Sequence, residues 1–171
     1  MNLAIREIGA DEFVEVWPIF HPVVAAGETY AYPPDMRYEQ ARDLWTTAPA
    51  RCFVAEGDGT LGGDLLGRGV VGCYMLKPNQ AGPGSHVANA GYMTAPQARG
   101  QGVAGALCEH SLATARAAGF LAMQFNCVVS SNDTAVRLWQ KHGFRIVGTL
   151  PQVFRHARLG LVDAYVMHRF L

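Results

Sequence analysis

The pattern of apolar and polar positions divides the chain into strand-like and helix-like stretches. Asn2–Ile8 alternates and predicts an opening strand. Asp11 is placed to cap a helix reaching about Val24, with Phe13, Val16, Trp17 and Phe20 at helical spacing and Pro18 marking a kink or a restart. Ala25–Pro34 reads as a loop rich in Gly, Tyr and Pro, after which Asp35 can cap a short helix toward Trp45. Arg51–Glu56 and Gly69–Leu76 predict an antiparallel hairpin around a glycine-rich turn at Asp58–Asp64, and Lys77–Gly84 is another turn. His86–Thr94 is strand-like but interrupted by Gly91, the mark of a bulge or of a close backbone approach. A helix over Gly102–Ala118 is followed by Phe120–Val129, an apolar run that reads as a strand buried on both faces. Ser131–His142 is a helix with Ala135, Leu138, Trp139 and His142 on one face, closed by Gly143. Phe144–Leu150 and Val162–Phe170 are the last strands. The order predicts a mixed α/β domain whose sheet is antiparallel early and parallel around the central helix.

Composition narrows the function. With 171 residues, 50% of them hydrophobic and 16% charged, the chain reads as one domain over 1–171 with enough core to exclude disorder. Fourteen basic residues balance fourteen acidic ones, so a broad electrostatic nucleic-acid binder is not expected. Arg6, Glu7, Asp11 and Glu12 break any secretory apolar run, and the longest stretch free of charge, Pro78–Ala98, carries too many Gly, Pro and Asn residues for a membrane helix. Cys52, Cys73, Cys108 and Cys127 form no CxxC pair, and the six histidines show no HxH or HxxxH spacing, so no metal is expected. Widely spaced cysteines fit a reduced, cytoplasmic protein.

The most informative segment is Arg99-Gly100-Gln101-Gly102-Val103-Ala104-Gly105, between a strand and a helix. Glycines there let a ligand approach the backbone, and the helix start adds partial positive charge, a combination suited to a pyrophosphate. The spacing fits GxGxxG, but no Asp or Glu lies between Glu109 and Asp133 to hold a ribose, so a dinucleotide enzyme is disfavoured. Neither Lys77 nor Lys141 stands in a P-loop.

The same segment also fits R-x-x-G-x-A, read as Arg99, Gly102 and Ala104. Upstream lies Met93-Thr94-Ala95-Pro96; downstream lie Asn132 at a helix start and Leu138-Trp139-Gln140-Lys141-His142-Gly143-Phe144. Together these resemble the GCN5-related N-acetyltransferase superfamily, over about Gly69–Val147. Gly27-Glu28-Thr29-Tyr30-Ala31-Tyr32, and Gly148 through Phe154-Arg155-His156 to Asp163, further resemble its phosphinothricin and amino-acid N-acetyltransferase branch. The resemblance implies a centrally splayed mixed sheet of about six to seven strands flanked by about four helices. It implies transfer of the acetyl group of acetyl-CoA to a primary amine of a small molecule, an amino acid or an analogue, by direct attack in a ternary complex. It also implies a homodimer. Two alternatives stay open: an acetyl-CoA-binding sensor that turns over weakly, and an acetyltransferase of protein N-termini or lysines.

The resemblance assigns coenzyme contacts to the strand Tyr92, Met93 and Thr94, to the turn Arg99, Gly100, Gln101, Gly102, Val103 and Ala104, and to Asn132, Trp139 and Lys141. A backbone N–H near Met93 is expected to meet the thioester oxygen, and Gly91 to help splay the sheet. For proton removal the candidates are Glu28, Asn89 and His86. Asn89 falls where relatives carry an acid and can only orient water or bind substrate. Trp139 stands where relatives often carry a proton-donating Tyr and is expected to pack along the coenzyme slot or in the core. Glu28, Tyr30, Tyr32, Asn89, Arg155 and His156 are the candidate acceptor contacts.

Overall fold

A computed structural model describes residues 3–57 and 69–171. The elements run β1 (Leu3–Ile8), α1 (Trp17–Ala25), α2 (Tyr38–Thr46), β2 (Arg51–Gly57), β3 (Gly69–Pro78), β4 (Val87–Thr94), α3 (Val103–Ala117), β5 (Ala122–Val129), α4 (Asp133–Lys141), β6 (Arg145–His156) and β7 (Gly160–Phe170). They build a seven-stranded sheet of order β1-β2-β3-β4-β5-β7-β6. Every neighbouring pair is antiparallel except β4 and β5. The glycine-rich turn at Asp58–Asp64 lies outside the described residues.

The β4–β5 pairing decides the shape of the molecule. Its ladder has two rungs, Val87↔Ala122 and Ala88↔Met123, and then stops. β4 stays on β3 as far as Thr94, while β5 follows β7 as far as Val129. The two strands therefore part, and a V opens toward their C-terminal ends. The divergence begins after Ala88, not at Gly91. Gly91 pairs with Met75 in unbroken register, so there is no bulge. A Cβ there would lie 3.0 Å from Tyr30 Oη, so the glycine makes room for a loop side chain.

Several boundaries differ from the sequence expectation for local reasons. Asp11 caps no helix. A 3-10 turn spans Ala10–Glu15, with Glu12 Oε2 accepting from the Gly9 N–H at 3.1 Å, and α1 restarts at Trp17 with Pro18 in its first turn. Proline is tolerated there because first-turn N–H groups have no intrahelical acceptor. Asp35 belongs to the turn before α2; the cap is Arg37, whose N–H donates to Gln40 Oε1 at 3.0 Å. β5 is not buried throughout: Asn126 is exposed where the strand leaves β4. β6 runs past Leu150 to His156, with register shifts between Leu150 and Phe154 that absorb Pro151 and the left-handed Gln152 (φ 52°).

Aromatic packing of Phe13, Phe20, Trp45 and Tyr32 joins the turn before α1, α1, α2 and the loop between the two helices to one side of the core. On the other side α3 rests on β3 at Gly72, where a Cβ would stand 2.8 Å from Val103 Cγ1, 3.0 Å from Leu107 Cδ1 and 3.1 Å from Met93 O. Gly72 thus sets how closely the start of α3 approaches the sheet. Gly72→Ala is expected to lower stability by about 1–3 kcal/mol through overpacking. The midpoint of urea unfolding would report it, and an unchanged midpoint would show that α3 tolerates a wider seat.

Candidate active site

The turn between β4 and α3 is built from backbone. Gly100 (φ 74°) and Gly102 (φ 81°) take conformations that favour glycine, and Gly102 is the cap of α3. The first bond of the helix runs from the Ala106 N–H to Gly102 O at 3.1 Å. The N–H groups of Val103, Ala104 and Gly105 therefore precede the helical ladder, at the positive end of the α3 dipole. Beside them is a cavity of about 430 Å³ lined by Arg99, Gly100, Gly102, Val103 and Ala104, with Arg137, Leu138 and Lys141 of α4 opposite. It shares Thr94, Arg99, Ala104, Thr134 and Leu138 with a larger cavity of about 980 Å³ that occupies the V.

Trp139 of α4 lies against both arms of the V, 4.8 Å between ring centroids from Tyr92 of β4 and 5.1 Å from Phe125 of β5. Phe144 stacks on Phe125 at 4.2 Å from behind. Lower down, Asn89 Nδ2 donates to Gln124 O at 2.8 Å and replaces a ladder bond where the backbones have separated. An aromatic wedge thus holds the strands apart, and an amide ties them at the apex.

The free edge of β4 follows from strand alternation. His86 O accepts from the Leu121 N–H on the β5 side, whereas the Ala95 N–H goes to Val71 O on β3. The backbone groups of Ala90, Tyr92 and Thr94 consequently face the V. Met93 turns its N–H to β3, so the open-edge N–H groups next to it are those of Tyr92 and Thr94. Tyr92 O accepts from Tyr30 Oη at 2.8 Å. The Tyr92 phenol points away, bonded to Ser111 Oγ at 2.7 Å; Ser111 in turn donates to Cys108 O, so Tyr92 is the donor. Burial pushes both tyrosine hydroxyls, Tyr30 and Tyr92, well above their ordinary range.

The other predicted residues divide into two groups. Glu28, Tyr30, Tyr32, Asn89, Tyr92, Met93, Thr94, Arg99, Ala104, Asn132, Trp139 and His156 line the large cavity, and Gly100, Gly102, Val103 and Lys141 line the smaller one. Glu28 Oε1 is paired with Arg158 Nε at 2.7 Å. His156 is 7% exposed and its Nδ1 accepts from the Arg158 N–H at 3.1 Å. His86 and Arg155 line neither cavity. His86 is exposed at the closed foot of β4, with Nδ1 3.0 Å from Pro83 O, too far down the strand to serve the V. Gln101 bonds back to Gln97 O at 2.9 Å through its side chain. Asn132 Oδ1 accepts from the Ala135 N–H at 3.2 Å, so its amide caps α4.

Residue chemistry alone passed over Arg137 and Arg158 as site residues. Arg137 was readable as the residue one helical turn before Lys141, on the same face. Arg158 stands in a local basic cluster with Arg155 and His156, but its pairing with Glu28, which joins distant parts of the chain, had no local signal.

A sheet split beside a glycine-cradled helix start offers an extended slot that ends at an anion site, and the comparisons give the class of protein that carries it. Residues 10–144 match the Acetyltransferase (GNAT) family, so the chain belongs to that family and is an acyltransferase. It is 28% identical over 151 residues to the N-acetyltransferase aca1 of Schizosaccharomyces pombe, covering 84% of this chain and 72% of the relative. A GCN5-related N-acetyltransferase from Kribbella flavida is 44% identical and superposes with a TM-score of 0.88 over 99% of this chain and 98% of its own. The acetyltransferase-like yncA of Salmonella typhimurium, solved with its cofactor acetyl-CoA, shares the fold with a TM-score of 0.81 at 20% identity, over 100% of this chain and 95% of its own.

Acetyl-CoA, the acetyl donor of this family, fits the residues present. A Cβ on Gly100 would meet nothing within 4 Å, so the bend faces open space. The two adjoining cavities provide a path from the α3 start to Trp139. Asn132→Ala is expected to cost about 1 kcal/mol of stability by uncapping α4, with acetyl-CoA affinity by calorimetry unchanged. A large loss of affinity at full stability would instead make Asn132 a coenzyme contact.

Proposed function

We propose that the protein transfers the acetyl group of acetyl-CoA to the primary amine of a small molecule, an amino acid or an analogue of one, by direct attack in a ternary complex. The observation that carries this reading is the composition of the outer wall of the large cavity. Tyr30 and Tyr32 roof it, and charges of both signs stand together in the Glu28–Arg158 pair beside the buried His156. Because His156 Nδ1 accepts the Arg158 N–H, the neutral ring carries its proton on Nε2 and offers a donor. A small zwitterion matches this set: its ammonium toward Glu28, its oxyanion toward His156 and Arg158.

The chemistry distributes over the chain as follows. Bound acetyl-CoA supplies an activated acetyl thioester. The turn from Arg99 to Ala104 holds the diphosphate, and the open-edge groups of Tyr92 and Thr94 hold the pantetheine arm and polarise the carbonyl. Of the three residues considered for proton removal, Glu28 alone is both ionisable and on the cavity wall, since Asn89 cannot ionise and His86 lies elsewhere. Arg158 occupies Glu28 Oε1, which leaves the second carboxylate oxygen to take the proton, directly or through water. Trp139 has no acidic proton to give, so the departing thiolate, with a thiol pKa of about 8.5, leaves as such or is protonated by water.

Cys127 also lines the cavity, but burial raises its thiol above the ordinary value and so lowers the thiolate fraction at neutral pH. Incubation with acetyl-CoA in the absence of amine is expected to leave the intact protein unacetylated at Cys127 by mass spectrometry. An acetylated cysteine that disappears on adding amine would replace direct attack by a ping-pong route.

Two kinetic results test the substrate assignment. In a thiol-release assay free amino acids are expected to be acetylated and peptides with free N-termini not; turnover with peptides alone would overturn the small-molecule reading. Glu28→Gln is expected to lower kcat/KM for the amine by about 10²-fold while acetyl-CoA binding is retained. Unchanged kinetics would move proton removal to solvent.

A further inference from the structure

The acceptor end of the large cavity holds two opposite charges in contact. Among the described residues that line this cavity Glu28 is the one acid, and the permanent cations are Arg99 and Arg158. Arg99 stands in the glycine bend and lines the smaller cavity too, so Arg158 is the cation of the acceptor wall. Its Nε lies 2.7 Å from Glu28 Oε1, and its side chain is 75% exposed. Nη1 and Nη2 have no hydrogen-bond partner among the described residues.

The backbone fixes where this arginine stands. Its N–H donates to Nδ1 of the buried His156 at 3.1 Å, and the N–H of Ala157 donates to Gly27 O at 3.0 Å. Gly27 has a left-handed φ of 62°, and a Cβ there would lie 3.4 Å from Ala157 Cβ. The β6–β7 turn is thereby fastened to the acceptor loop beside the ion pair. The same loop reaches the other arm of the V, where Tyr30 Oη donates to Tyr92 O. An exposed ion pair contributes little stability by itself. What this pair leaves to the cavity is a held guanidinium with donors to spare.

A guanidinium is a planar fork with more than one edge. Nε faces Glu28, and Nη1 and Nη2 present a further edge that can bind one carboxylate through paired hydrogen bonds. Glu28 Oε2 is left for the ammonium. Two protein charges in contact match two ligand charges that are themselves close, as when amine and carboxylate share one carbon. We infer that Arg158 determines acceptor specificity: by bridging Glu28 and the acceptor's carboxylate it selects free α-amino acids over their amides and over β-amino acids. The inference rests on the reading of this cavity as the acceptor site for a small amine. Pro22, Val23, Ala26 and Leu159 also line the cavity and add no charge, so an uncharged side chain suits it.

The test is a thiol-release assay on the full chain at saturating acetyl-CoA, with two matched sets of probes. One set is L-leucine, L-leucinamide and β-homoleucine; the other is the same series built on alanine. The unmodified protein is expected to favour the free α-amino acid over its amide and its β-homologue by about tenfold or more in kcat/KM. Arg158→Gln should raise KM for the free amino acid by about tenfold or more and affect the amide far less, so that the two converge. Arg158→Lys, which keeps the charge but not the fork, should restore only part of the preference. An arginine that merely steadied Glu28 or the turn would slow acid and amide in the same proportion. A preference that survives in Arg158→Gln therefore overturns the inference, as does equal turnover of the free amino acid and its amide or β-homologue by the unmodified protein. Either result leaves the small-molecule reading intact. No turnover of any probe overturns the inference, and it overturns that reading as well if the other free amino acids are also inert.

Discussion

The separation of β4 from β5 after two rungs is the constraint on which the rest of the molecule depends. A parallel ladder that ran its full length would satisfy the backbone of both strands and leave no cleft. Here the ladder is sacrificed, and unpaired strand groups carry a cost unless something replaces their partners. Part of the replacement is internal: Tyr30 donates to Tyr92 O, and Asn89 spans to Gln124 O. The remainder faces the cavity, where the amides of a coenzyme arm can take the place of the missing strand. The unmet hydrogen bonds of the fold and the binding capacity of the site are therefore the same groups.

Keeping the strands apart requires volume as well as lost hydrogen bonds. Trp139, Phe125 and Phe144 supply it as one aromatic stack between α4, β5 and the start of β6. This accounts for a tryptophan where a proton-donating tyrosine stands in relatives that the motif resembles. At this position the ring contributes bulk and has no acidic proton to give. Asn132, which caps the helix bearing Trp139, supports the cleft by fixing that helix.

Charge is arranged by depth along the cleft. Cations that make no ion pair among the described residues gather at the α3 and α4 end, and paired opposite charges stand at the Glu28, Arg158 and His156 end. A neutral chain can hold such a gradient because its net charge says nothing of placement. The balance of fourteen cations and fourteen anions conceals a bipolar site.

The sequence by itself determined the element order, the glycine bend and a set of candidate residues most of which line the two cavities. Those features are local: periodicity, helix punctuation and short spacings act over a few residues and survive in one dimension. Tertiary structure decided what depends on partners far along the chain. It decided that Gly91, read as a bulge or a close approach, is the seat of Tyr30, gave Met93 and its neighbours opposite strand edges, and carried His86 to the closed foot of β4. It also joined Arg158 to Glu28 across the fold and extended β6 through Pro151 by a shift of register. Strand parity and long-range pairing are properties of the assembled sheet, and no pattern within a single segment encodes them.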